Sequence, residues 1–390
     1  MSILLTGCTP FGWGRATPTP VTEDAALQRF LASAPAPLRD VATPTPDDSG
    51  ARVTPRGLPL PLVEPLNVEG DVAITGSPAL APLTRLLYAS FVSAGYRDTM
   101  KIEEVGSDAG FQHYCTHDLT DSAAADLVMA DRPMRQSELE LCLQHDRKPV
   151  ALRVALNAVA VVSNVDAVAV TSVNKKELAT LFTARHWSDV ERSWPAVDIV
   201  RVAPAADNIA FALVVEKILN RNALLLQNAP ATTFLEDGQE IAITIADTPA
   251  AVGFLNYADY QKNASELRLL AIDGIQPDSA TVSSGVYPFT YPLLLYADDT
   301  TLHVKGQVAA FLLYYLANMN AVMAEAGNFP VNEAIYERTK VVLLTALGQE
   351  AYLEQFPPTS TPAPPPTITP MPTMTSTAVL TATGTVTVTR

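Results

Sequence analysis

From about residue 68 to 347, short apolar runs alternate with stretches of helical spacing. That alternation predicts a mixed α/β fold. Residues 71–75 read as a strand, and in residues 81–94 the positions Leu83, Leu86, Leu87, Ser90 and Phe91 repeat at the helical period. A strand over 100–105 precedes a helix over 111–116. An apolar run over 123–130 ends at Asp131, and a further helix is expected over 137–144. At Lys148 the character changes: 148–156 and 158–162, rich in Val, Ala and Leu, read as two buried strands. Asn174 with Glu177 three residues on predicts a capping box for a helix reaching Thr183. Strands are expected over 197–202, 240–246, 251–256 and 268–272, with a helix over 208–219 and a return segment over 285–296. The strongly apolar helix over 306–318 reads as buried core, and 331–347 closes the globule.

Three loops punctuate the first part of this pattern: Gly76-Ser77-Pro78-Ala79-Leu80-Ala81-Pro82, Gly106-Ser107-Asp108-Ala109-Gly110 and Asp131-Arg132-Pro133-Met134. Each ends or follows an apolar run, and the first two lead into helices. Strand, small-residue turn, helix is how a backbone builds an anion site. The first N–H groups of a helix lack intrahelical partners, and the dipole favours negative charge there. The candidate ligand contacts are Ser77, the backbone at Ala79 and Leu80, Ser107, Asp131 and Arg132. Asp131 has a structural alternative as a cap for the segment after it, where Pro133 suits a helix start. Ser107 has one as an ordinary N-cap, and Asp108 reads as a cap. Arg132 has one as an ion-pair partner.

The ends have a different composition. Residues 9–66 carry Thr-Pro pairs (Thr17-Pro18-Thr19-Pro20, Thr43-Pro44-Thr45-Pro46) and read as a proline-stiffened tether, with a local helix expected over 23–32. Residues 357–390 are Thr, Pro and Ser with almost no charge and cannot bury a core. Between them lie roughly 285 residues, enough for two lobes. A formal net charge of −15 and the lack of a basic stripe exclude nucleic acid. The same charge means that any anion selectivity must come from local groups.

Three cysteines are present. Leu5-Thr6-Gly7-Cys8 resembles a lipobox, which makes Cys8 a candidate lipidation site, with 1–8 the remnant of a signal. Cys115 and Cys142 then remain either as a disulfide pair in an oxidising compartment or as two separate buried thiols. No apolar run reaches the roughly 18 residues a membrane helix needs. His113 and His117 stand four apart with no third ligand in a metalloprotease-type arrangement, so no metal is assigned. No Gly-x-Ser-x-Gly elbow or P-loop is found, and no cofactor or enzymatic step is expected.

The order of these motifs resembles the phosphate-type periplasmic substrate-binding proteins of ABC uptake systems, the two-lobed type II fold. The resemblance covers about residues 70–345. It rests on Gly76 to Leu80, Gly106 to Gly110 and Ala130-Asp131-Arg132 in lobe one. In lobe two it rests on Leu181-Phe182-Thr183-Ala184, Trp187-Ser188-Asp189-Val190, and Arg201 ahead of Phe211. The return segment contributes Ser284-Gly285-Val286-Tyr287-Pro288 and Tyr291-Pro292-Leu293. It implies a substrate-binding domain over 67–356, with lobe one at about 67–150 and 267–356 and lobe two at about 151–266. It implies phosphate in the interlobe cleft, with Ser107 as a hydroxyl donor, Asp131 accepting the ligand's proton and Arg201 carrying the charge. Ala79 stands where a Thr or Ser is usual. It also implies a monomer at the outer face of a bacterial membrane that delivers to ABC permease subunits.

Lobe two departs from that pattern. Where a Gly-Ser-Gly-Thr loop is usual, this chain has Pro204-Ala205-Ala206-Asp207: both hydroxyls are gone and one N–H is lost to proline. Hydrogen bonds to a charged ligand contribute roughly 1.5–3 kcal/mol each, so the loss of several would cost orders of magnitude in affinity. Asp207 in the Thr position would add repulsion if it faced the ligand. Two functions follow: capture of a small oxyanion, phosphate first, for an importer; or a degenerate binding-protein module in sensing or adhesion.

Overall fold

A computed structural model describes residues 57–117, 124–165 and 170–356. Cys8, most of the expected tether and the whole of the 357–390 tail lie outside the described residues. In chain order the strands are β1 (Val72–Gly76), β2 (Met100–Glu104), β3 (Leu127–Ala130), β4 (Pro149–Asn164), β5 (Ser172–Val173), β6 (Val200–Pro204), β7 (Thr232–Leu235), β8 (Ala251–Asn256), β9 (Leu267–Leu269), β10 (Ala271–Ile272) and β11 (Thr290–Asp298). Nine of them form one curled sheet in the order β2-β1-β3-β11-β4-β8-β6-β7, with β9 also on β4; β5 and β10 pair separately.

The 148–156 and 158–162 runs are one strand, not two. β4 is 16 residues long and almost wholly buried from Val154 onward, which explains its uninterrupted apolar character. Its first part, Pro149 to Ala158, lies antiparallel to β11. From Val159 it changes partners and lies antiparallel to β8, and from Val162 also to β9. One strand therefore serves both lobes, and the register puts the crossing between Ala158 and Val159 instead of near residue 151. β9 belongs to lobe two, so the return into lobe one comes at β11 and not at residue 267.

In lobe one, β1, β2 and β3 are parallel, so their C-terminal ends share one edge. Lobe two repeats the arrangement with parallel β6, β7 and β8. Helices cover both. Gly306–Val322 buries Val308, Phe311, Leu312, Tyr315, Leu316 and Met319, spaced by threes and fours, and is core as expected. It packs on Ala81–Ser93, with Phe91 and Phe311 ring centroids 5.5 Å apart and Ser90 Oγ 2.7 Å from Tyr314 Oη. Among the described residues no helix is long and apolar enough to cross a membrane.

Residues 240–246, expected as a strand, form the helix Gly238–Asp247. Their apolar positions alternate locally, but the Asp237 carboxylate caps the Glu240 N–H at 2.9 Å, and Ile241, Ala242 and Ile245 share the buried face. The folded part also begins earlier than 67. Leu58 is buried on lobe one, its N–H donating to Glu337 (2.8 Å) and its carbonyl accepting from Lys340 Nζ (2.9 Å). Cys115 and Cys142 form a disulfide between the helices Ser107–Thr116 and Gln136–Gln144, which decides between the two alternatives.

Candidate functional site

The shared edge of β1, β2 and β3 is where the three loops meet, because parallel strands present the starts of their following helices on the same side. Gly76 ends β1 with φ +128°, and a Cβ there would lie 2.0 Å from the Met129 carbonyl oxygen, so no other residue fits. A Cβ on Gly110 would stand 2.7 Å from Gly76 Cα; its absence lets the Ser107–Thr116 helix press against the first loop. The Val105 and Gly106 N–H groups both donate to the Gly76 carbonyl at 3.0 Å, fixing the second loop to the first.

Asp131 is the centre of this corner. Ser77 Oγ donates to its Oδ2 and Ser107 Oγ to its Oδ1, each at 2.7 Å, and the Asp131 N–H donates to Ser107 Oγ at 3.1 Å. Two hydroxyls from two different loops thus hold one carboxylate in place. The first-turn N–H groups of Ser107–Thr116 start at the same point and have no intrahelical acceptor. An anion with a proton of its own finds an acceptor in Asp131 and donors beside it; an anion without one meets an unmatched carboxylate. The Ala79 and Leu80 N–H groups are engaged within their turn, donating to Ser77 Oγ (3.2 Å) and to the Ser77 carbonyl (3.4 Å).

Arg132 makes the ion pairs of its structural alternative and also lines the cleft. It is buried, donates to both Glu138 oxygens (2.9 and 2.6 Å) and to Asp108, and lies 5.3 Å from the Phe111 ring centroid. Burial disfavours its charged form, but the Glu138 and Asp108 carboxylates outweigh this and raise its pKa. It ties the third loop to both helix starts.

Arg201 corrects the expectation that it carries the ligand's charge. It is the second residue of β6, at the end of that strand away from the loop that follows it, and its side chain is fully buried. The guanidinium donates to the carbonyls of Leu181 (2.9 Å), Pro230 (2.7 Å), Ile199 (3.4 Å) and Ala184. It closes the end of the Lys175–Leu181 helix and the turn before β7. Burial lowers its pKa to about 10. Asp207 is exposed in the turn before the Ile209–Ile218 helix, where Asn208 and not Asp207 is the cap. Asp207 is not among the residues that line the cleft.

A cleft of about 380 Å³ runs from Asp131 and Arg132 across to the Ile209–Ile218 helix of lobe two, with β11 along its floor. Of the residues that line it, Asp131 and Arg132 are site residues expected from sequence; Arg153 and Tyr291 are not. Arg153 lines the wall from β4; a lone Arg inside the apolar 148–156 run was the available signal. Tyr291, on β11, donates from Oη to Asn256 Oδ1 (2.7 Å) at the end of β8 and so spans the two lobes. Burial pushes its phenol pKa well up, with Asp131 and Asp259 adding to the effect.

A family model described as PBP superfamily domain matches residues 46–318. The chain belongs to the PBP superfamily. Among its relatives, the protein SphX of Synechocystis is 24% identical over 288 residues, covering 71% of this chain and 83% of that protein. The phosphate-binding protein PstS of Staphylococcus haemolyticus is 21% identical over 278 residues, 70% of this chain and 84% of that one. Among solved structures, one described as a possible phosphate binding protein from Planctomyces limnophilus superposes with a TM-score of 0.53 at 22% identity, covering 72% of this chain and all of that one. A phosphate binding protein from Stenotrophomonas maltophilia superposes with a TM-score of 0.54 at 10% identity, covering 70% and 94%. At these identities the structural likeness establishes the two-lobed fold of this PBP-superfamily protein.

Proposed function

We propose that this PBP-superfamily protein captures a small oxyanion, phosphate, outside the cytoplasm and delivers it to the permease of an ABC importer. The observation that carries the reading is Asp131 held by Ser77 and Ser107 at a parallel-strand edge beside a helix start. Relatives that align over most of their length are named phosphate-binding protein PstS, which supports the same ligand. The Cys115–Cys142 disulfide supports an oxidising, extracytoplasmic location. Lipid attachment at Cys8 and a monomeric state belong to this proposal. The protein is read as a receptor without a catalytic step.

Asp131 accepts the ligand's proton and the first-turn N–H groups of the Ser107–Thr116 helix donate to the anion, while Ser77 and Ser107 hold Asp131 in place and Arg153 supplies positive charge in place of Arg201. The test is equilibrium dialysis of the purified protein with radiolabelled phosphate, with and without excess sulfate. Label concentrated on the protein side and undiminished by sulfate supports the reading; no excess label, or an excess that sulfate abolishes, refutes it. The alternative of a degenerate module for sensing or adhesion is favoured by one observation, the withdrawal of Arg201 from the cleft.

A further inference from the structure

The cleft has more room and more apolar wall than inorganic phosphate uses. A four-oxygen anion displaces on the order of 60–90 Å³, two to three waters' worth, against a cleft of about 380 Å³. Ile209, Leu213, Glu216 and Lys217 of the Ile209–Ile218 helix all line the cleft, so the wall that lobe two contributes begins with two aliphatic side chains and ends in a Glu and a Lys. Hydroxyls elsewhere in the cleft are turned to backbone: Ser283 Oγ donates to Pro330 O (2.6 Å), Ser284 Oγ to Ala280 O (2.6 Å) and Thr290 Oγ1 to Tyr287 O (3.1 Å). An oxygen set on the Ile209 and Leu213 side chains themselves would lose its water against carbon, while Lys217 and Arg153 are the cationic donors that also line the cleft. A carbon group at that position would bury apolar surface instead.

On the reading of the site as a phosphate site, we infer that the cleft takes monosubstituted phosphoryl anions, phosphonates or phosphate monoesters with a compact apolar group, as well as the inorganic ion. The phosphoryl group sits at Asp131 and the first-turn N–H groups of the Ser107–Thr116 helix. The substituent lies on Ile209 and Leu213. A phosphonate replaces one phosphate oxygen by carbon and a monoester esterifies one; either keeps three terminal oxygens, one of them protonatable, for Asp131.

The test is calorimetric titration of the full chain with inorganic phosphate and, separately, with phenylphosphonate. Phenylphosphonate is expected to bind at least as tightly as phosphate. Leu213→Ala, and independently Ile209→Ser at the first helical position, are expected to lower the ratio of phenylphosphonate to phosphate affinity about tenfold. Phosphate binding with phenylphosphonate weaker by about tenfold or more in the unaltered chain overturns the inference and leaves the phosphate reading standing. Heat with phenylphosphonate alone upholds the inference and moves the captured ligand to the substituted class. No heat with either overturns the phosphate reading, and the inference with it.

Discussion

Asp131 accepts from Ser77 and Ser107 at once, so a change at this residue alters three side chains. Asp131→Asn keeps the volume but replaces one accepting oxygen with a donor, which leaves one serine hydroxyl facing an N–H. We expect phosphate affinity to fall by roughly 1.5–3 kcal/mol and the preference over sulfate to shrink, both measurable by titration. Arg201 behaves differently. Arg201→Lys removes the planar fork that reaches four carbonyls and is expected to lower unfolding free energy by roughly 2–4 kcal/mol. Ligand affinity should change little; denaturant unfolding beside a titration separates the two effects. That the loops of Ser107 and Asp131 meet at one strand edge was legible from sequence, because small-residue turns after strands constrain where they can lie. Arg201 was not, because a lone Arg at a strand start gives no sign of which end of the strand its guanidinium serves. Only the sheet register, with Arg201 opposite Thr232, decides it.

At the scale of elements, the disulfide joins the two helices whose first turns hold Ser107 and Glu138. It closes a loop with a sequence separation of 27 residues, and chain-entropy arguments assign such a closure roughly 3–4 kcal/mol. Reduction, or the pair Cys115→Ala with Cys142→Ala, is expected to lower the melting temperature and to weaken ligand binding through the loosened helix starts. Thermal scans with and without dithiothreitol measure the first effect. Most helices and the lobe-one strands were readable from apolar period, and the Asn174 capping box is present as expected, its Oδ1 accepting from Lys176 and Glu177. The 240–246 segment was misread because Glu240 to Ala246 alternates like a strand while the cap at Asp237 starts a helix. β4 was divided because Asn157 looks like a break, yet it is buried in the strand beside the crossing and opposite Tyr291.

Across the whole molecule, buried phenols set the alkaline limit. Burial raises the pKa of Tyr114, Tyr287, Tyr291 and Tyr315 well above the ordinary value of 10, and that of Tyr296 to about 12. Above pH 10 the unfolded chain releases these protons and the folded chain keeps them. The native state then binds more protons, and stability falls as pH rises. Melting temperature is expected to decline from about pH 10 upward, with this contribution fully present below it. The net charge of −15 acts on the ligand as well, repelling anions at long range. On the proposed reading, selection rests on the corner around Asp131, at the edge of a two-lobed sheet joined through β4 and β11. The measurement that tests this most directly is calorimetric titration of the full chain with phosphate at pH 7, with sulfate as control. Phosphate binding at submicromolar Kd, about −8 kcal/mol or better, with sulfate giving no heat, is the predicted result. Equal binding of both anions, or heat from neither, would contradict the role assigned to Asp131.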